Sequence, residues 1–254
     1  MKWVKILHFR KSIAIIVAAG KGTRMGRGIN KQFLLLEGKP ILAHTIKAFE
    51  ECESIDEIII IVTKGEIDYC RGNIIEKFGC TKVTKIVVGG SERVSSVFRG
   101  LSEVSSYDSI ITVHDGARPL ITSSQISECV ETAKKLGSAV LAVQVKDTIK
   151  IVSPDMEIER TLKRSELWAI QTPQSFHYSV IMKAYETYME RKLENRDNVD
   201  RQSYHHPTDD SSLVEQIGIK VHVIKGDYEN LKITTPEDII VASEIFRKRS
   251  ECIK

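Results

Sequence analysis

The chain has 254 residues, of which 42% are hydrophobic and 28% charged, with a formal net charge of +3. It is long enough to bury a substantial core in one domain or two small ones. The near-neutral balance, without a basic run carrying interleaved aromatics, excludes the usual nucleic-acid surface, and no window approaches a membrane span, so neither is expected as a partner.

The first segment, Met1 to Lys11, is interrupted by charge and lacks both an uninterrupted apolar stretch and a small-residue cleavage site. It reads as an N-terminal extension rather than a signal peptide, and a cytoplasmic protein is expected. The five cysteines, Cys52, Cys70, Cys80, Cys129 and Cys252, are scattered without the two-residue spacing of a zinc or redox pair. They suit a reducing compartment and read as small core residues.

Ile13–Val17 has the uniformly apolar pattern of a buried strand and runs into Ala18-Ala19-Gly20-Lys21-Gly22-Thr23-Arg24-Met25-Gly26, with Lys31-Gln32 soon after. A strand entering a glycine-rich basic turn makes a phosphate cradle: glycines admit the anion, backbone N–H groups point inward, and cations supply charge. The P-loop spacing fails because Gly20 and Gly22 are one residue apart and Gly26 is followed by Arg27-Gly28. The dinucleotide fingerprint fails too, since Gly26 arrives one residue late and no acidic residue ends the apolar run Ile58–Val62. The loop, with its cations, resembles that of the sugar-phosphate nucleotidyltransferases. An ordinary glycine turn is the plain alternative, and Arg24 and Lys31 weigh against it.

Further strand-length apolar runs are Ile58–Val62, Ile86–Val88, Ile110–Val113, Ala139–Val145 and Val221–Ile224. Segments of helical period lie between most of them: Ile41–Glu50, Ile67–Phe78, Ile126–Leu136 and Val180–Met189. This alternation predicts an α/β fold, a mostly parallel sheet covered by helices. Gly89-Gly90-Ser91-Glu92-Arg93-Val94-Ser95-Ser96 ends one strand and opens a helix. Ser91 is placed to cap that helix, and Arg93 or Ser96 to reach a base or phosphate; a plain capped helix is the other reading. Val113-His114-Asp115-Gly116-Ala117-Arg118-Pro119 ends the next strand. A carboxylate at the C-terminal edge of an open sheet suits a metal, and one is enough where substrate phosphates supply the rest. Asp115 is therefore the metal candidate, with a turn-stabilising role as its alternative, and His114 reads as structural.

Thr148–Val152 and Ile158–Lys163 alternate with period two around the turn Ser153-Pro154-Asp155, predicting a protruding β-hairpin arm. Such a hairpin is marginal alone, and a second subunit is the economical partner. Arg164 is expected as an unpaired cation at the arm's return, placed to hold a phosphate. In Leu167–Gln174, Trp168 is expected to anchor the arm and Pro173 to limit the next element. The charged stretch Glu190–His206 reads as a solvated connection. Thr208-Asp209-Asp210 caps a helix or meets sugar hydroxyls. Lys232 is a charge in a strand-like segment, Asn230–Thr234, and calls for an anionic partner. Thr235-Pro236-Glu237-Asp238 is a helix start.

Taken together, Ala18–Met25, Lys31-Gln32, Gly89–Ser96, Val113–Pro119, Val145–Lys150, Leu167–Gln174, Thr208-Asp209 and Asn230–Asp238 resemble the 2-C-methyl-D-erythritol 4-phosphate cytidylyltransferases of non-mevalonate isoprenoid biosynthesis. The resemblance spans roughly Ser12 to Arg249. The sister ribitol-5-phosphate cytidylyltransferases tend to carry a Leu-Ala-Gly-Gly loop and His-Asp-Ser-Val-Arg-Pro, which fit less well here. The resemblance implies a Rossmann-like three-layer sandwich of nucleotidyltransferase type, one domain over 12–250 with its β-arm at about 146–176. It implies CTP on Ala18, Ala19, Gly20, Gly22, Thr23, Gly90, Ser91, Arg93, Ser96 and Gly116, and catalytic cations at Arg24, Lys31 and Lys232. The polyol phosphate would meet Arg118, Thr148, Arg164, Thr208, Asp209 and Glu229. Mg²⁺ would sit at Asp115, and a homodimer would form through the β-arm. Glu229 stands where the resemblance leads one to expect Asp. Two other classes stay open on the residues alone: a CTP-sensing domain without turnover, and a nicotinamide-dependent oxidoreductase, which the glycine spacing disfavours.

Overall fold

A computed structural model describes residues 11–20, 30–194 and 207–251. Residues 1–10 of the N-terminal extension, Gly22, Thr23 and Arg24, most of the charged 190–206 stretch, and Cys252 lie outside the described residues.

The chain opens with β1 (Lys11–Val17), followed by the short hairpin β2 (Leu35–Leu36) and β3 (Lys39–Pro40) and by α1 (Ile41–Glu50). Next come β4 (Glu57–Val62), α2 (Ile67–Cys70), β5 (Val83–Val88), α3 (Arg93–Ser102) and β6 (Ser109–Asp115). The helical run expected over 67–78 is present, but Arg71–Glu76 winds as a π-helix. Then follow α4 (Ser123–Leu136), β7 (Ser138–Gln144), β8 (Lys150–Val152), β9 (Ile158–Thr161), β10 (Trp168–His177) and α5 (Tyr178–Glu194). The chain closes with α6 (Asp210–Gln216), β11 (Val223–Lys225) and α7 (Pro236–Glu251).

The main sheet has seven strands in the order β11-β7-β10-β6-β1-β4-β5. β1 pairs parallel with β4 and β6, β4 with β5, and β11 with β7, while β10 runs antiparallel to β6 and β7. The apolar strands explain why this sheet is covered on both faces. In β1, Ala14 and Ile16 pack with Ile46 and Phe49 of α1 and Ile126, Val130 and Ala133 of α4. Ile13 and Ile15 point the other way, to Val97 and Leu101 of α3 and Ile181 and Tyr185 of α5. β4 divides likewise, Ile58, Ile60 and Val62 to the first layer and Ile59 and Ile61 to the second. Period-two alternation with both faces apolar requires helices on both sides, hence three layers. Truncating one of these side chains to alanine is expected to cost about 2–5 kcal/mol.

Helix ends follow local chemistry. Thr122 and Gln125 form a capping box at α4. Asp209 is the N-cap of α6, accepting from the Ser212 N–H at 3.0 Å. Pro236 opens α7, where the Asp238 carboxylate accepts from the backbone N–H groups of Thr234 and Thr235 at 2.7 and 2.8 Å. At α3 the expectation of Ser91 as cap is corrected: Glu92 holds that position, because Ser95 Oγ receives its N–H at 3.1 Å.

Three further expectations are corrected. Pro173 does not limit an element: β10 runs through it, shifting register between Ile170 and Gln174, and the Thr172–Pro173 peptide is cis. Trp168 pairs with Gln144 at the start of that strand and is 42% exposed rather than anchored. Lys232 lies outside any strand; its stretch is held by the Ile233 N–H on the Ala117 carbonyl at 2.8 Å. The hairpin arm is present as β8 and β9, antiparallel and separate from the main sheet. Its Ile149, Val152, Met156 and Ile158 are exposed. No helix among the described residues is long and apolar enough to cross a membrane.

Candidate active site

The strand order reverses at β1: β4 and β5 extend the sheet to one side, and the chain then returns to β6 on the other. Val17 and Asp115, the last residues of β1 and β6, stand side by side in the parallel register. Carboxyl ends at such a switch point leave a crevice where ligands bind. A cavity of about 510 Å³ occupies it, lined by Ala19, Gly20, Lys31, Gln32, Gly90, Ser91, Arg93, Ser96, Asp115 and Lys232, among others. Residues singled out from five separate stretches of sequence thus converge on one space. A larger cavity, about 620 Å³, lies between α1 and α7 around His44 and Phe246 and includes none of them.

The backbone comes close around this crevice. A Cβ on Gly89 would lie 2.5 Å from Ala19 Cβ and 2.9 Å from Ser96 Oγ. One on Gly116 would stand 3.1 Å from Ala18 Cβ, Leu42 Cδ1 and the Val17 carbonyl oxygen. Glycine there lets the β1, β5 and β6 ends pack together, and the Ala18 N–H then reaches the Ile61 carbonyl at 2.7 Å. Gln32, buried beside the cavity, donates from Nε2 to the Ala18 carbonyl, fixing the loop's start. Lys31 sits on the 3-10 turn Lys31–Phe33 and donates from Nζ to the Ile233 carbonyl at 3.0 Å. That contact joins the loop after β1 to the stretch that carries Lys232.

Asp115 is 8% exposed and surrounded by cations. Lys232 Nζ lies 2.9 Å and Arg118 Nε 3.6 Å from Oδ2, and Arg93 Nε lies 3.5 Å from Oδ1. The anion that Lys232 called for is therefore Asp115 itself. Burial alone would raise the Asp115 carboxyl, but Arg93, Lys232 and Arg118 hold it well below the usual carboxylate range. Arg93 also makes a two-pronged pair with Asp210, at 2.8 and 2.7 Å, and Asp210 accepts from the Tyr185 hydroxyl. Burial works against the Arg93 charge, yet the Asp210 and Asp115 carboxylates raise its pKa further. Breaking such a buried pair by removing one partner typically costs about 3–5 kcal/mol.

His114 is structural, as its position suggested. It is fully buried, its Nδ1 is 3.1 Å from Thr172 Oγ1, and its Nε2 is 3.2 Å from the Arg118 carbonyl. Thr172 Oγ1 in turn receives the Asp115 N–H at 3.1 Å, so the histidine braces the strand end that presents the carboxylate. Burial pushes its pKa down from 6.5 to about 3. The unfolded chain then binds the extra proton between those values, so this part of the stability is complete above pH 6.5 and lost as pH falls toward 3. His44 and His177 are lowered by burial too, with the same sign. His114→Gln should therefore flatten, not abolish, the fall in urea-unfolding free energy from about pH 7 to about pH 5, by about 2 kcal/mol. Parallel curves for the two proteins would show that His114 carries no such linkage.

The expected polyol-phosphate residues are placed less uniformly. Arg118 is turned inward, its guanidinium donating to the Asn230 carbonyl at 2.7 Å and pairing with Asp115. Asp209 is committed to its cap and to Gln174 Nε2 at 2.9 Å, while Thr208 beside it is exposed. Glu229 turns its carboxylate to Arg249 of α7, at 2.8–3.0 Å. Thr148 and Arg164 lie on the exposed arm and do not line the 510 Å³ cavity. Arg164 is not unpaired, since it donates to the Lys146 carbonyl at 3.1 Å. Sequence reasoning missed Asp210 and Tyr185 as site residues, and Asn230, whose Nδ2 donates at 2.9 Å to the Thr172 carbonyl, the oxygen of the cis Thr172–Pro173 peptide. Only Asp210 carried a local signal, its place beside the helix cap.

The family model described as 2-C-methyl-D-erythritol 4-phosphate cytidylyltransferase matches residues 12–248. A protein of that name from Alkaliphilus oremlandii is 49% identical over 244 residues, which is 96% of this chain and 98% of the relative. One from Alkaliphilus metalliredigens is 47% identical and covers 95% of each chain. Among solved structures, 4-diphosphocytidyl-2C-methyl-D-erythritol synthase from Anaerococcus prevotii superposes with a TM-score of 0.80 at 31% identity, covering 95% of this chain and 98% of that one.

Proposed function

The chain belongs to the 2-C-methyl-D-erythritol 4-phosphate cytidylyltransferase family, and from that membership we infer its reaction and propose how the crevice performs it. CMP passes from CTP to 2-C-methyl-D-erythritol 4-phosphate, giving 4-diphosphocytidyl-2-C-methyl-D-erythritol and pyrophosphate, a step of non-mevalonate isoprenoid precursor synthesis. The observation that supports this site is the convergence of Gly20, Lys31, Gly90, Arg93, Asp115 and Lys232 on one cavity at the sheet's switch point.

The acceptor is a phosphomonoester oxygen, ionised at neutral pH, so no general base is required. It attacks the α-phosphorus of CTP and pyrophosphate departs. Negative charge from two phosphates meets in a confined space, and the residues' task is to hold the two in line and to stabilise that charge. CTP lies along Ala18–Gly20 and the Gly90–Ser96 turn, its phosphates toward Lys31 and, in the stretch beyond the described residues, Gly22, Thr23 and Arg24. Lys232, which lines the same cavity beside Asp115, adds positive charge near the joining phosphates.

The donor set fits a hard divalent cation. Asp115 presents a carboxylate to the cavity, and among the described residues no group of three or more His, Cys, Asp or Glu forms a protein cage. Mg²⁺ is commonly held by one or two carboxylates with substrate phosphates completing its shell. Asp115 would hold it here, and when bound it would supply positive charge to the triphosphate. Thr148 and Arg164 would serve the polyol phosphate from the arm of a second copy, in a homodimer, with Thr208 at the rim. The chain from 12 to 250 would act as one domain.

With Mg²⁺ and CTP, pyrophosphate release is expected with 2-C-methyl-D-erythritol 4-phosphate and much less with ribitol 5-phosphate. Faster turnover of ribitol 5-phosphate would move the chain to the sister specificity. CTP binding without turnover of any polyol phosphate would make it a sensor.

A further inference from the structure

Asp115 can hold a metal only if the cations around it leave one oxygen open. Oδ2 is occupied, with Lys232 Nζ at 2.9 Å and Arg118 Nε at 3.6 Å. Oδ1 faces Arg93, whose Nε stands at 3.5 Å. A guanidinium so close has a planar fork that matches a carboxylate and would close on it through two parallel hydrogen bonds. Here that fork is already engaged. Both terminal nitrogens of Arg93 donate to Asp210, at 2.8 and 2.7 Å, and only the long Nε contact remains for Oδ1.

Asp210 is built for this task. It has no exposed surface, it is the first residue of α6, and its Oδ1 receives the hydroxyl of Tyr185, which is itself fully buried in α5. The charges point the same way. Arg93, Arg118 and Lys232 place three positive groups around Asp115 alone, a field that repels an arriving divalent cation unless one of them is drawn off. A second buried carboxylate on the far side of Arg93 draws it off.

We propose that Asp210, held by Tyr185, is a positioning residue for the metal-holding carboxylate: it binds the Arg93 fork and thereby keeps Oδ1 of Asp115 open to a divalent cation carried on the triphosphate. This rests on Asp115 being the metal-holding residue. Neither Asp210 nor Tyr185 touches the reacting atoms. Both act through Arg93.

The test is Mn²⁺ titration of the full-length enzyme with saturating CTP, followed by electron paramagnetic resonance, with the Mg²⁺ dependence of kcat and the melting temperature measured alongside. Asp210→Asn frees the fork to turn onto Asp115 and is expected to weaken Mn²⁺ binding about tenfold or more. Tyr185→Phe, which removes only a hydroxyl, should weaken it in the same direction by about threefold. Adding Arg93→Gln to Asp210→Asn takes away the intruding cation, and Mn²⁺ affinity should return most of the way to wild type. A merely structural role would make that double variant no better than the single. If Asp115→Asn abolishes Mn²⁺ binding while Asp210→Asn and Tyr185→Phe match wild type, the positioning role is wrong and the metal assignment stands. If Asp115→Asn itself leaves Mn²⁺ affinity unchanged, the metal assignment falls and the positioning role with it. Should Asp210→Asn fail to fold, Tyr185→Phe decides alone: unchanged affinity overturns the proposal.

Discussion

Lys31→Ala is expected to lower kcat by roughly 10²–10³ while leaving the melting temperature nearly unchanged. The ammonium group lines the crevice, half-buried, on a short turn that follows the phosphate loop. It donates a hydrogen bond to a main-chain carbonyl, that of Ile233. Losing one such contact at a half-buried site costs little stability, about 1 kcal/mol. Losing a positive charge where two phosphates are pressed together costs transition-state stabilisation, because the repulsion peaks there. Lys31→Met separates the two roles further. It keeps the apolar stem and its packing, and should be nearly as inactive as the alanine variant. Steady-state kinetics with CTP varied, beside a thermal melt, decide the matter. Near-normal kcat in either variant would mean that Lys31 holds the Ile233 stretch in place and does no electrostatic work.

The parts of this enzyme that were legible in its sequence are those where one local pattern has one physical cause. Ile13–Val17 and Ile58–Val62 are apolar at every position, and both became central strands with alternate residues feeding two cores. Asp115 could be singled out because it follows such a strand and stands beside a glycine, which places it at the sheet edge. Lys232 was legible as a charge needing an anion, although the anion turned out to be Asp115. β10 was not legible, because Gln171-Thr172-Pro173-Gln174-Ser175 shows neither apolar alternation nor a helical period. Those polar residues are buried and satisfied by partners distant in sequence: Ser175 by Thr112, Gln174 by Asp209, Gln171 by the Asp227 carbonyl. The Tyr185–Asp210–Arg93 chain was hidden for the same reason. It joins α5, α6 and α3, and no spacing within any one helix announces a contact between three of them. The ion pair of Glu229 was hidden as well, since Arg249 lies on a helix later in the chain.

Mixing Lys31→Ala and Arg164→Ala homodimers, each nearly inactive alone, is expected to restore activity. Arg164 and Thr148 lie on or beside the arm, away from the residues that line their own chain's crevice. The arm presents Ile149, Val152, Met156 and Ile158 to solvent, an apolar surface that an isolated two-stranded hairpin cannot bury alone. A two-fold dimer that covered these side chains would make the exchange reciprocal, each arm serving the other's crevice. In a mixed dimer with that arrangement, one site carries both lesions and the other carries neither. Random exchange makes about half of the dimers mixed, each with one intact site in two, so activity should recover to about a quarter of wild type. If Arg164 served the crevice of its own chain, every site would keep one lesion and mixing would restore nothing. Subunit exchange is to be verified independently, by native mass spectrometry of differently tagged chains, so that a flat activity result with exchange demonstrated removes the assignment of Arg164 to the neighbouring site.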